Sequence, residues 1–180
     1  MNKFHFLIRV SALLFLLTGI FQKPLLHAQT GSRSTTVLFF SPEIDPKVEE
    51  ITDVTNISFF SETTDRFSNS PNFRMVKTET VNSYHQPDSA VITEFCANND
   101  AQFAVIPKVK FFKVGIGRYV LSSQVVVSMK LYDSNGSFIS EHHYDTFRKN
   151  ARILGSAENS IKLGTKGALK DLIKSLRRHR

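Results

Sequence analysis

The chain has one cysteine, Cys96, no tryptophan, and no run of some twenty apolar residues. The first and the last of these lacks each remove a class of protein. A lone cysteine excludes an intramolecular disulfide framework and a cysteine-based zinc cluster. It also stands far from the amino-terminal apolar run, where a lipid-bearing cysteine would have to follow, so a lipoprotein is not expected. A membrane-spanning helix needs ~20 apolar residues, and the run Val10 to Phe21 is too short for one. There is no Gly-x-Ser-x-Gly, the turn that presents a hydrolase serine. The Gly-x-Gly of "VGIGRY" has no third glycine and no helix start after it, so it lacks the amide cradle of a phosphate loop.

What is present describes an exported globular protein. Of 180 residues, 41% are hydrophobic and 22% charged, the balance of one domain with a real core. Sixteen phenylalanines point to aromatic core packing. Lys3 and Arg9, the apolar run, and the small Ala28 two positions after Leu26 have the three-part layout of a secretory signal, with cleavage expected near Ala28 or Gln29. Residues 1–29 are therefore read as a signal peptide and 30–180 as a single domain. Taking Lys3, Arg9 and Lys23 from the net charge of +7 leaves +4. From Asn150 onward, eight cations face only Glu158 and Asp171, so the basicity belongs to the tail. A basic tail on an exported chain excludes nucleic acid as the expected partner and leaves a weak contact with an anionic surface.

Along the mature chain, "TTVLFF" over 35–40 is β-branched and aromatic and reads as a buried first strand. Pro46 is expected near the start of a helix carrying Val48, Ile51, Thr55, Phe59 and Glu62. Phe73 to Thr78 is a short second strand. Pro87-Asp88-Ser89 opens a helix whose apolar face holds Val91, Ile92, Phe95 and Cys96, the cysteine as a small buried residue. Ala101 to Val114 is a long strand in which Pro107 predicts an edge position or a bulge. Tyr119 to Tyr132 and Ser137 to Phe147 flank Asn135-Gly136, a strong hairpin signal. The final helix sets Ile161, Ala168, Leu169, Leu172, Ile173 and Leu176 against lysines on the opposite face; Gly164 and Gly167 weaken its first turns. The expected fold is α/β (α+β), a single mixed sheet in the order β-α-β-α-β-β-β-α with helices packed on it.

The chemistry, if any, lies in "SEHHYDTF". A two-residue turn at Asn135-Gly136 places Ser134 opposite Ser137, Met129 opposite His142, Lys130 opposite Glu141 and Ser128 opposite His143. Val125, Val127, Met129 and Leu131 then share one face with His142 and Tyr144, while Glu141, His143 and Asp145 share the other with Lys130. Alternate residues on a strand lie ~7 Å apart, so these three converge poorly on an ion, and Lys130 is expected to pair with Glu141. A type I turn with Gly136 as a bulge is the competing geometry; it slips the pairing by one and turns the acids toward the core. A metal-dependent hydrolytic enzyme using Glu141, His143 and Asp145 is the alternative function. Lys108, Lys110, Lys113 and Arg118 among Phe111, Phe112 and Tyr119 suit a base-stacking surface, but a half-exposed strand yields the same list.

The segments "TTVLFF", "SPNFRMVKT", "FCANNDAQFAVIPKV" and "VVVSMKLYDSNGSFIS", closed by an amphipathic helix, resemble in turn the elements of a small α/β domain. It is shared by the amino-terminal part of TolB, CsgG-like curli secretion lipoproteins and LpoB-like penicillin-binding-protein activators. The resemblance spans nearly all of residues 35–176. It implies a non-enzymatic envelope protein, periplasmic or outer-membrane associated, that binds an envelope protein through loops and sheet edges, with no cofactor and no metal. The expected contact residues are Gly115, Gly117 and Arg118 in the "VGIGRY" loop, the edge around Pro107, and Arg177, Arg178 and Arg180 in the tail.

Overall fold

In a computed structural model, the described residues are 34–47, 49–116, 119–150 and 156–180, with no side chains described for 113–123 and 149–150. The expected signal segment, Val48, Gly117 and Arg118 lie outside them.

One mixed six-stranded sheet organises the chain, with helices packed against it. Strands β1 (Thr35–Phe39), β2 (Glu43–Asp45), β3 (Phe73–Lys77), β4 (Phe103–Ile116), β5 (Tyr119–Asp133) and β6 (Phe138–Asp145) alternate with helices α1 (Glu49–Ser68), α2 (Ser89–Asn98), α3 (Thr146–Asn150) and α4 (Ala157–His179). The order across the sheet is β3-β1-β4-β5-β6, with β2 pairing β4 beyond the end of β1. The first half is parallel and the second antiparallel. Strand β2 and helix α3 add to the expected order.

Two cores flank the sheet. On one side, Val37 and Phe39 of β1 join Phe59 and Phe67 of α1, Val125, Val127, Met129 and Leu131 of β5, and Ile161, Leu169, Leu172 and Leu176 of α4. On the other side, Leu38, Phe40, Ala104 and Ile106 meet Ile92 and Cys96 of α2 together with Tyr84 and Tyr132. A strand buried on both faces explains why "TTVLFF" is a continuous apolar run rather than an alternating one. The phenylalanines pack as rings: Phe39 meets Phe67 edge-on at 5.3 Å, and Phe67 meets Phe73 at 6.4 Å. The imperfect stripe of α1 works because Thr55 and Thr63 return their hydroxyls to the carbonyls of Ile51 and Phe59, satisfying polar groups inside an apolar face.

Pro107 corrects one expectation. It is buried within β4, an interior strand, and is neither an edge nor a bulge. Val105 presents its carbonyl to Phe40 N–H, so two residues on, the Pro107 nitrogen faces the same side. There β1 has ended and β2 begins only opposite Lys108, and no ladder donor is required. Pro46 lies near the start of α1 but outside it: it follows a cis Asp45–Pro46 bond after β2, three residues before α1 begins.

The two glycines of α4 have a reason beyond propensity. A β-carbon on Gly164 would sit 2.7 Å from Val127 Cγ2, and one on Gly167 would run into the Tyr144 ring. Their bare backbone lets α4 lie against β5 and β6.

Candidate functional site

The hairpin of β5 and β6 keeps the expected register in its body and departs from it at the turn. Met129 pairs with His142, Lys130 with Glu141 and Ser128 with His143. The turn itself takes the competing geometry. Gly136 N–H donates to Asp133 C=O, Asp133 N–H donates to Ser137 C=O, and Gly136 holds φ +78°. That arrangement pairs Tyr132 with Phe138, after which Ile139 is left out and Leu131 meets Ser140. The second irregularity undoes the slip of the first. It keeps Ile139, Ser140 and His142 on the α4 side, with Ile139 against the core and His142 Nε2 3.0 Å from Ser175 Oγ, and leaves Glu141 on the opposite face.

On that opposite face, residues 78–88 cross the sheet as a strap fixed by Tyr84. The Tyr84 ring is 5% exposed. Its hydroxyl donates to Glu141 Oε1 at 2.6 Å, its N–H donates to Glu43 Oε2 at 2.9 Å, and its carbonyl accepts from Lys130 Nζ at 2.8 Å. The Lys130 ammonium also stands 4.6 Å from the ring centre. Burial first, and then the Glu141 carboxylate, push the phenol above its ordinary range. The expected cross-strand pair of Lys130 with Glu141 is not what forms: each reaches a different atom of Tyr84. No sequence pattern marked Tyr84; its place in the polar loop "NSYHQ" hid it.

A second knot lies beside the first. Lys108 Nζ is 3.0 Å from Glu43 Oε1, 3.4 Å from Asp45 Oδ2 and 3.0 Å from His85 Nε2. Burial alone would raise the Glu43 carboxyl, but the Tyr84 N–H and Lys108 together hold it below its usual value. Burial likewise opposes the charge on Lys108, and Glu43 and Asp45 outweigh it and hold its pKa up. A lysine therefore fills the centre of the one place where Glu43, Asp45 and His85 gather.

The proposed hydrolytic trio does not assemble. Glu141 is engaged by Tyr84, and Asp145 caps α3 by accepting from the N–H groups of Phe147 and Arg148. His143 stands exposed. Among the described residues no group of three His, Cys, Asp or Glu side chains is placed to hold a metal ion. Cys96 is 1% exposed and burial pushes its thiol up to about 11, the environment of a structural cysteine. No helix among the described residues is long and apolar enough to cross a membrane.

Of the expected contact residues, Gly115 lies in β4 opposite Val120, where the β4–β5 register shifts. Gly117 and Arg118 fall outside the described residues. Arg177, Arg178 and Arg180 end α4 in solvent, with Arg180 engaged in an interaction of its own. Lys166 and Lys170 extend the exposed basic face, and Lys162 and Lys174 pair within the helix with Glu158 and Asp171. These groups are brought to different ends of the fold, not to one site. The edge expected around Pro107 is an interior position.

No protein-family model matches the sequence, and no curated protein matches it. Solved structures do. PelC from Paraburkholderia phytofirmans, crystallised as a dodecamer, superimposes with a TM-score of 0.50 at 15% identity, over 78% of this chain and 88% of PelC. The lipoprotein GNA1162 from Neisseria meningitidis gives 0.38 at 11% identity, covering 78% and 99% of the two chains. The LpoB carboxyl-terminal domain from Salmonella enterica gives 0.36 at 13%, covering 64% and 85%. The PelC likeness establishes a shared fold; the two looser ones carry nothing further.

Proposed function

We propose that this chain is an exported, non-enzymatic binding or assembly component of the bacterial cell envelope, periplasmic or outer-membrane associated, without a lipid anchor. The observation that carries the reading is the use made of the charged groups. Glu141, Lys130, Glu43, Asp45, Lys108 and Asp145 are spent on holding a strap, a short strand and a helix start in place, which leaves no convergent acid, base and nucleophile among these groups. The groups left for contact lie at the periphery: the exposed cations of α4 and the far end of the β4–β5 pair. The layout of residues 1–29 supports export. The names of GNA1162 and LpoB accord with an envelope role but add no weight to it, and fold likeness is an associational warrant for function.

The test is affinity recovery of the full chain from envelope fractions at low and high salt. The reading expects one specific protein partner, retained by the intact chain and weakened by salt and by removal of residues 177–180. Recovery of nothing specific would sink it. Zinc calorimetry addresses the alternative: micromolar binding lost in His143→Ala would restore the hydrolase.

A further inference from the structure

The sheet ends at β3 in an open edge. Thr35 N–H donates to Asn72 C=O and Thr78 N–H donates to Phe39 C=O, so residues 72, 74, 76 and 78 face β1. By the alternation of a parallel ladder, 73, 75 and 77 turn their N–H and C=O outward. Phe73 N–H is taken by Ser70 C=O; among the described residues nothing pairs with the outward groups of Met75 and Lys77. Such an edge is usually blunted by a charge, a proline, a bulge or a cover. Here β3 keeps an unbroken register with β1, and both its cations are turned back. Arg74 Nε reaches Thr36 Oγ1 at 3.3 Å, and the Lys77 ammonium stands 5.7 Å from the centre of the Phe60 ring of α1.

Beside the edge, α1 leaves a groove. The helix meets β1 through Phe59 and Phe67 against Phe39, and β3 through Phe67 against Phe73 and Thr64 Oγ1 against Met75 Sδ at 3.8 Å. It therefore lies over the β1–β3 pair. Two adjoining cavities of about 730 and 410 Å³, both lined by Thr64 and Lys77, run between its outer flank and the edge. Along that flank Ile57, 70% exposed, Phe60, Ser61, Thr64 and Ser68 recur at helical spacing. Asp53, Asp65 and Glu79 against Lys77 make the larger cavity acidic.

We infer that β3 pairs antiparallel with β3 of a second copy of this chain, across a two-fold axis at Val76. In that register Met75 stands opposite Lys77 of the other copy, and the two exchange both N–H···O bonds through groups that are otherwise open. A register centred on Met75 would need the Phe73 N–H that Ser70 holds. The sheet then runs on through the axis, with α1 of both copies on one face. Two strand spacings of ~4.8 Å set the helix axes about 10 Å apart, a distance at which helices pack, so the two flanks close over the groove and cover Ile57. Charge fits the same axis: Lys77 of one copy is carried beside Met75 of the other, next to Thr64 and Asp65, and the reverse holds across the axis. On the opposite face Val76 meets Val76 as an apolar cross-strand pair. The contact is isologous and closes at a dimer. The inference goes beyond the envelope-partner reading and requires neither export nor a foreign partner, so failure of either leaves the other standing.

Sedimentation velocity of the full chain over a concentration series is the test. Wild type should pass from monomer to dimer and stop there. Lys77→Pro removes an outward N–H and no β1 ladder bond, and should sediment as monomer at loadings where wild type is dimeric. Asp65→Lys and Lys77→Glu, both at exposed positions, turn each attraction across the axis into a repulsion and should each weaken the dimer about tenfold or more. Mixed in equal amounts, these two variants should dimerise again, because every attraction is restored in the mixed pair. A wild type that stays monomeric overturns the inference. So does growth past the dimer, a dimer indifferent to Lys77→Pro, or a mixture that associates no more tightly than its two components. If Lys77→Pro lacks the wild-type melting transition, the charge-exchanged mixture decides alone.

Discussion

The Tyr84 hydroxyl donates to Glu141 Oε1 across 2.6 Å, joining residues 57 apart in the chain and fastening a loop strap to β6. Tyr84→Phe keeps the buried ring and removes the donor; because Glu141 is exposed and water can replace the hydroxyl, the expected loss is about 1 kcal/mol. Tyr84→Ala empties the site under the strap and is expected to cost about 3 kcal/mol. Urea unfolding monitored by circular dichroism should order the three proteins in that sequence. Equal midpoints would mean that the strap contributes no stability.

Gly136 is held at φ +78°, and a β-carbon there would come within 2.9 Å of Ser89 Cβ at the start of α2. Both the backbone and the neighbour oppose a side chain. Gly136→Ala should lower stability by about 1–3 kcal/mol, whereas Asn135→Ala, one residue earlier on the exposed turn, should change it by under about 0.5 kcal/mol. Comparison of the two unfolding midpoints checks this.

Gly167 and Tyr144 form a second close approach. Gly167→Ala must displace the ring and is expected to cost about 2 kcal/mol or more by overpacking, even though alanine is the better helix former by about 1 kcal/mol. In Tyr144→Ala the obstruction is gone, so Gly167→Ala added to that background should be much less harmful. A double-mutant cycle showing no coupling would contradict the packing described.

His142 faces Ser175 and Ser140, with Asp171 of α4 and His143 of β6 nearby. Burial lowers its pKa below the ordinary 6.5, His143 lowers it further, and Asp171 opposes both. A histidine depressed in the folded state contributes stability that is complete above its unfolded value and is lost as pH falls through the folded one. The melting temperature should therefore fall from pH 7 toward pH 5 by more in wild type than in His142→Gln. Parallel curves would remove His142 from the acid response.

The parts of the fold that were legible in the sequence are those governed by local period. The stripe from Ile161 to Leu176 is buried as read, and the count from Asn135-Gly136 matched Lys130 to Glu141 correctly. That count reached the right register through the wrong turn, because a bulge at Ile139 cancels the bulge at Gly136. No local rule predicts two compensating irregularities; the packing of half-buried Ile139 against the core does. Pro107 misled for a related reason. Proline forbids a ladder bond, but the vacancy between β1 and β2 that absorbs it exists only after three strands have assembled. Tyr84 left no local signal, since its partners Glu43, Lys130 and Glu141 come from three distant strands.

The proposed role in envelope binding is tested most directly by photo-crosslinking in intact bacterial cells, with a photoreactive residue placed singly at Arg178, at Phe112, and at Glu79 as a control away from both expected contacts. The binding reading predicts a discrete adduct with an envelope protein from Arg178 or Phe112 and none from Glu79, apart from adducts between copies of the chain. Absence of any foreign protein adduct from Arg178 and Phe112, with the chain folded and exported, would contradict it.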